Sequence, residues 1–342
     1  MSGSAIPVVA LHGAPPERGR QHGRRFRTEI AGALATMRAA RGSGAYETAR
    51  RHAAAILPAI ALRAPEIAAE LSGIAAGAEC DPVDVLLRSG FELFGVPAVA
   101  GCSAIAVGTP SGALVAQNWD APLSFAPELV LFLHFGPDGF EQAIIGSFGA
   151  LGWVGCNRYG LAFVNNDLML STTVPGLPSQ VIRRLILRER SVPAALDALQ
   201  VLPHMAGRSY LLGDATGSVA GIEVAAHIGV RIAQHGSPAL HTNHALDRDV
   251  AADESAAELQ ATYPSSRHRY EVLRRKLPAQ PDAAAIASLL ADEEGYPDSI
   301  SKATSSGEPS ATLFSVIFEC GTSSLLLCPG APAHHPYQRI AW

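Results

Sequence analysis

Cys102 directly follows Gly101 at the head of a short apolar run, residues 102–107, and Asn118 and Asp120 close the next run, residues 113–119. The joint between the runs, Thr109-Pro110-Ser111-Gly112, carries the Pro and Gly of a turn, so the pair predicts a β-hairpin. Antiparallel pairing would bring the thiol within reach of the carboxylate. A free cysteine is commonly a small buried hydrophobe. Two features here favour a reaction centre instead. Glycine precedes the cysteine where helical texture gives way to strands, and polar side chains end the partner strand where a structural hairpin would prefer apolar ones. A thiol attacks as thiolate and needs a base or a lowered pKa. Cleavage of the Gly101–Cys102 bond would supply that base: the freed α-amine, with an ordinary pKa of about 7.7–8.0, accepts the thiol proton near neutral pH. The same sulfur could make the cut by attacking the preceding carbonyl, giving a thioester that water opens. Gly101 tolerates the backbone angles that such an attack requires.

His241-Thr242-Asn243-His244 is the second candidate. Its H-x-x-H spacing lacks a third ligand in place and is a weak metal signal. The order and long separation also allow a papain-like arrangement, with Cys102 served by a histidine base and an asparagine orienter.

The remaining sequence must position these groups. The 342 residues are 48% hydrophobic and 17% charged, ample for a sizeable core and too apolar for disorder. A net charge of −5 and a pI near 6.2 give no basis for binding nucleic acid or an anionic membrane surface. Five scattered cysteines without a C-x-x-C pair form neither a disulfide framework nor a zinc ribbon and fit a reducing compartment. The first ten residues lack a basic region followed by a long apolar core, no apolar stretch approaches the roughly 20 residues of a membrane span, and the last residues are no organelle address, so a cytoplasmic location is expected. Helical spacing covers residues 17–41, 46–63 (with Pro58 expected to kink or end the helix), 65–78 and, after an Asp81 cap, a segment to about residue 94. Residues 95–101 break the helical pattern. Short strands follow at 102–107, 113–119, 129–135, 142–147, 153–156 and 161–165. A helical pair is expected over 179–190 and 192–202, strands again at 208–213, 219–224 and 229–233, helices at 265–277 and 282–290, and a closing hairpin over 311–319 and 323–328. The acidic stretch 247–258 reads as a solvated loop or short surface helix. Such an order predicts an α+β fold with helices covering both faces of largely antiparallel sheets.

Several stretches resemble the acyl-CoA:6-aminopenicillanate (isopenicillin N) acyltransferase family of self-cleaving cysteine Ntn hydrolases. Gly101-Cys102 and the run Gly112 to Gln117-Asn118-Trp119-Asp120 resemble the start of that family's mature chain. Gly19-Arg20-Gln21-His22-Gly23, Leu71-Ser72-Gly73, Gly152-Trp153-Val154-Gly155-Cys156-Asn157, His241-Thr242-Asn243-His244, Ser266-Arg267-His268, Asp292-Glu293-Glu294-Gly295 and Ala311-Thr312-Leu313-Phe314 follow in the family's order. The resemblance implies an Ntn-hydrolase αββα sandwich of two mostly antiparallel sheets covered by helices. It implies self-cleavage into a helical segment, 1–101, and a strand-rich catalytic segment, 102–342, which remain together as one Ntn domain. Cys102 would be the nucleophile, Asn243 the donor to the oxyanion, and Asp120 a group that holds the nucleophile and its new amine, with Asn118 adding hydrogen bonds beside it. Glu92 falls where the family has an acid just upstream of the cut, and His241 shapes a strand end. The substrate would be a small-molecule acyl compound and the cleaved N-terminal fragment a bound partner. No metal or redox cofactor is implied, and acyl-CoA is a possible co-substrate. Two positions depart from the penicillin-making member: Ala225 replaces a serine, and Glu308-Pro309 replaces a Ser-Arg pair. Loss of that arginine removes a clamp for a substrate carboxylate, and Glu308 would instead favour a cationic or amine-bearing substrate.

Overall fold

The computed structural model describes residues 5–94, 101–170 and 175–342, so the helix-breaking segment 95–100 lies outside the described residues. In chain order the elements are β1 (Val8–His12), α1 (Pro15–Arg25), α2 (Arg27–Arg41), α3 (Ser43–Arg63), α4 (Pro65–Ala78) and α5 (Pro82–Arg88). Next come β2 (Gly101–Val107), β3 (Leu114–Ala121), β4 (Leu129–Phe135), β5 (Glu141–Ser147), β6 (Val154–Asn157) and β7 (Ala162–Asp167). Helices α6 (Ser179–Ile186) and α7 (Val192–Val201) precede β8 (Arg208–Gly213), β9 (Val219–Ala225), β10 (Gly229–His235) and β11 (Ala239–His241). Then follow α8 (Arg248–Asp253), α9 (Ala256–Thr262), α10 (Ser266–Lys276), α11 (Ala283–Leu290), β12 (Ala311–Glu319), β13 (Ser324–Pro329) and β14 (Gln338–Ile340).

The strands form an eight-stranded sheet, β1-β4-β5-β6-β7-β8-β9-β10, and a six-stranded sheet, β11-β2-β3-β12-β13-β14. Between the named strands every pairing is antiparallel except β1 with β4. Side chains alternate between faces along a strand, and that alternation builds the layers. Cys102, Ala104, Val115, Trp119 and Phe314 of the smaller sheet meet Leu131, Ile145, Val164 and Leu211 of the larger one. On the opposite face of the smaller sheet Ile105, Val107 and Ala116 pack against α10 and α11 through Val272, Leu273 and Leu289. The outer face of the larger sheet, with Phe132, Ile144 and Phe163, is covered by α2, α4 and α6 through Ile30, Leu71, Ile74 and Ile182. The result is the expected αββα sandwich. Among the described residues no helix is long and apolar enough to cross a membrane.

The helical block differs from the expectation in two places. The single helix over 17–41 is two helices that pivot at Phe26 (φ −119°, ψ 27°). Here α1 is pinned backbone to backbone against α4: a Cβ on Gly19 would lie 2.3 Å from the Glu70 carbonyl oxygen, and one on Gly77 2.4 Å from that of Arg20. With α1 so fixed, the chain turns at Phe26 and its ring enters the core beside Phe132 and Phe148. Pro58 does not end α3, because Ala54 and Pro58 are both exposed and water can serve the carbonyl that proline leaves unpaired. The stretch 247–258 contributes to two short helices, α8 and α9, capped by Asp247 and Ser255. Strands β1, β11 and β14, which periodicity does not announce, are all edge strands of three to five residues. Such runs are too short to display an alternation.

Beneath α1 and α4 lies a buried polar cluster. Glu70 takes Arg184 at 2.6 and 2.9 Å and Arg18 at 3.6 Å. Neighbouring His22 accepts the Gly149 N–H at 2.8 Å through Nε2, and its ring packs 4.4 Å from that of Phe132. Burial, opposed by Glu70, pushes the His22 pKa down to about 4. The unfolded chain takes this proton near pH 6.5. Stability is therefore full above that value and falls as pH drops toward 4, by about 3 kcal/mol for this group. His22→Gln keeps an acceptor for Gly149 and should flatten this part of the slope. Denaturant midpoints at pH 7 and pH 4.5 measure it.

Candidate active site

The β2–β3 hairpin places Gly101 opposite Asp120 and Cys102 opposite Trp119. Alternation then sends the Cys102 thiol between the sheets and the Asp120 carboxylate to the opposite, helix-covered face. The carboxylate is thus level with the Gly101–Cys102 peptide bond and not beside the sulfur. A Cβ on Gly101 would lie 3.3 Å from Asp120 Oδ2. The position is tight for a side chain and not conformationally special: Gly101 is not among the residues with positive φ. Asp120 Oδ1 accepts from the Thr312 hydroxyl at 2.7 Å, while the buried Oδ2 has no hydrogen-bond partner among the described residues. Burial raises the Asp120 pKa, against the pull of Arg269 and Lys302.

Asn243 reaches the same peptide bond by register. Strand β11 pairs with β2 only as far as His241 opposite Ala104. Two residues further on, Asn243 takes over from the finished ladder and accepts the Cys102 N–H through Oδ1 at 3.0 Å. Its Nδ2 donates to the Asp167 carbonyl at 3.3 Å. In the uncut chain the side chain that the resemblance assigns to the oxyanion therefore serves the cysteine nitrogen with its oxygen. Arg269, on α10 and fully buried, completes the cluster. It donates to the Cys102 carbonyl at 2.6 Å, the Ser103 hydroxyl at 2.9 Å, Asn243 Oδ1 at 3.0 Å and the Ser265 hydroxyl at 3.0 Å. Burial pushes the Cys102 thiol well up; Asp120 and Asp167 add to this and Arg269 opposes it.

Three other residues singled out in the sequence stand elsewhere. Asn118 spends its amide N–H groups on the carbonyls of Leu290 and Ile300, each at 2.8 Å, so it ties the sheet to the α11 region and adds nothing beside Asp120. His241 directs Nε2 to Glu223 at 2.8 Å and Nδ1 to the Thr242 carbonyl at 2.7 Å, which leaves neither nitrogen for a base at Cys102. Glu308 is turned into the protein interior. It is buried, bonded to Lys302 through one oxygen and to the Ser265 N–H at 2.7 Å through the other. Its charge is already matched, and its contact with Ser265 steadies the residue that holds Arg269.

Arg269 is the residue that sequence reasoning missed. The run Ser265-Ser266-Arg267-His268-Arg269 offers two arginines, and only the phase of α10 decides between them. Arg267 is exposed with Glu254 at 3.9 Å, whereas Arg269 points inward.

On the sulfur side is a cavity of about 30 Å3, room for a single water. Trp119 and Trp153, stacked at 4.4 Å, form one wall, and Glu92, Asp167, Arg183 and Arg208 form another. Glu92 accepts the Ser179 N–H at 2.5 Å and also borders a second, largely apolar cavity of about 570 Å3 between α3 and Met205. Glu92 thus borders both cavities.

A family profile described as acyl-coenzyme A:6-aminopenicillanic acid acyl-transferase matches residues 107–334. The acyl-coenzyme A:6-aminopenicillanic-acid-acyltransferase 40 kDa form of Emericella nidulans is 30% identical over 325 residues, covering 91% of this chain and 89% of that protein. Among solved structures, a variant of the conjugated bile acid hydrolase from Clostridium perfringens superposes with a TM-score of 0.50 at 11% identity, covering 70% of this chain and 92% of that one. Penicillin V acylase from Agrobacterium tumefaciens gives a TM-score of 0.42 at 14% identity, over 67% and 82% of the respective chains.

Proposed function

The chain belongs to the acyl-coenzyme A:6-aminopenicillanic acid acyl-transferase family, and from that premise we propose that it is a self-cleaving Ntn-type cysteine amidohydrolase or acyltransferase acting on a small N-acyl amide or acyl thioester. One observation carries the reading: Asn243, Arg269 and Asp120, from three distant parts of the chain, converge on the Gly101–Cys102 peptide group and its neighbours inside a buried sheet.

Maturation begins when the Cys102 sulfur attacks the Gly101 carbonyl carbon. The C–N bond breaks, the nitrogen gains the proton lost by sulfur, and water hydrolyses the resulting thioester. The new α-amine emerges at Asn243 Oδ1, which already holds the Cys102 nitrogen. Residues 1–101 would remain bound, because β1 pairs along β4 from Val8 to His12 and α1 to α5 share the core of the larger sheet.

In each later cycle the α-amine takes the thiol proton and sulfur attacks the substrate carbonyl. The Asn243 amide donates to the oxyanion, a contribution of about 3–4 kcal/mol for such a donor. Collapse expels the leaving amine with the proton held on the α-ammonium. The acyl group on Cys102 then passes to water or to a second amine. The 30% identity to an acyl-coenzyme A-dependent acyltransferase favours transfer with an acyl-CoA donor as the second reading.

Rapid quenching of the cleaved protein with an N-acyl amide, followed by peptide mapping, tests the cycle. The acyl mass is expected on the peptide that begins at Cys102. Turnover with no such adduct, and full activity in Cys102→Ala, would overturn it. An added amine that captures the acyl group faster than water assigns transfer over hydrolysis.

A further inference from the structure

Trp153 and Arg183 both line the small cavity beside the Cys102 thiol, and each carries an N–H without a partner among the described residues, Nε1 of the first and Nε of the second. Both side chains are deeply buried, at 3% and 6% exposure. A buried donor left unmade bears its full desolvation cost, and an ordered water relieves it where the site is polar and large enough. The cavity, at about 30 Å3, has room for one water. Its other wall supplies acceptors. Asp167 and Glu92 lie beside Arg208 at 3.2 and 3.6 Å, and a carboxylate keeps lone pairs to spare after such a contact. Burial pushes the Glu92 pKa up, but Arg208 and the Ser179 N–H outweigh it and hold the group below its ordinary value, ionised and able to accept. Two donors and two carboxylates around one water's volume match the hydrogen bonds that a buried water makes.

We propose that this cavity is a water site, held by Trp153 and Arg183, and that its water opens the thioester joining Gly101 to the Cys102 sulfur during maturation. The inference rests on the Cys102 sulfur making the cut. Cys102 itself lines the cavity, which sets the water on the sulfur side of the β2–β3 hairpin. In the step, the water oxygen bonds to the Gly101 carbonyl carbon and the carbon–sulfur bond breaks. The sulfur leaves with a proton from the water, and Gly101 ends as a carboxyl group. The site decides between two fates of the thioester. The freed Cys102 amine stands next to the same carbonyl carbon and returns it to the peptide unless water arrives first.

The test follows the full chain, made by cell-free synthesis and sampled over time on denaturing gels, with and without hydroxylamine. Trp153→Phe removes the N–H and keeps an aromatic wall. It should slow the cut about tenfold, the effect of one hydrogen bond of ordinary strength. Hydroxylamine opens a thioester without help from the site. The share of the 1–101 piece that ends in a hydroxamate, read by mass spectrometry, should therefore rise in Trp153→Phe and in Arg183→Met. A merely structural loss would slow both products alike and leave that share unchanged. In a crystal structure of Cys102→Ala, one ordered water is expected within hydrogen-bond distance of Trp153 Nε1 and Arg183 Nε. A cut as fast in Trp153→Phe as in the unaltered chain, an unchanged hydroxamate share, or a dry cavity overturns the proposal. If Trp153→Phe does not fold, Arg183→Met and the crystal structure decide. Failure of the nucleophile reading looks different: Cys102→Ala would then still be cut, whatever the cavity holds.

Discussion

Cys102→Ala is expected to remain a single species of 35.7 kDa, whereas the unaltered chain yields two pieces, the larger with Cys102 as its first residue. Removal of the sulfur takes away the group proposed to attack the Gly101 carbonyl, and with it the α-amine proposed to serve later as base. Turnover should fall by about five to six orders of magnitude, as for the loss of a nucleophile that acts as a unit with its base. Denaturing gels and N-terminal sequencing read the cleavage; the N-acyl amide assay reads the rest. The two forms should also differ in thiol reactivity. In the uncut chain burial, Asp120 and Asp167 hold the Cys102 pKa well above the ordinary thiol value. Cleavage places an amine next to the sulfur, so iodoacetamide should label the cleaved form faster at pH 7.5. A chain that stays intact, with Cys102 inert to alkylation, would instead fit a binding protein that keeps the fold without the reaction.

Arg269→Met carries the second large effect. This side chain is the cation that opposes the raised Cys102 pKa, and it holds the Cys102 carbonyl, Ser103 and Asn243 together. Without it Asn243 loses one of the three bonds that orient its amide and the thiol loses its counter-charge. We expect kcat to fall by about 10²–10³, the range for loss of an oriented oxyanion donor, with KM changed less. The pH profile of Cys102 alkylation should move to higher pH, which a merely structural role would not produce. Arg269→Lys should recover little, since one ammonium cannot span three acceptors as the guanidinium fork does. The same variants should slow the Gly101–Cys102 cut. A denaturant midpoint measured alongside separates positioning from folding. Equal kcat in Arg269→Met and the unaltered protein would remove Arg269 from the site.

The sequence by itself determined the nucleophile candidate and the architecture. Gly-Cys at a change of texture, a Pro-Gly joint and two apolar runs of strand length specify the β2–β3 hairpin locally, because turn chemistry and strand alternation act over a few residues. Composition and element order specify the α+β layering. The hairpin register alone even brings Asp120 opposite Gly101. Tertiary structure decided which face each polar group serves. Asn118 and Asp120 have the same parity on one strand, yet the first meets the carbonyls of Leu290 and Ile300 and the second meets Gly101, because different segments of the chain cover the two positions. Arg267 and Arg269 are separable only by the rotation of α10 against the smaller sheet. Glu308 reads as an open charge until the fold sets Lys302 against it, and Arg183 reads as one more helix arginine until α6 buries it beside Cys102. The distinction is physical: backbone conformation and alternation follow from neighbouring residues, whereas the pairing of a buried charge follows from whatever the rest of the chain folds against it.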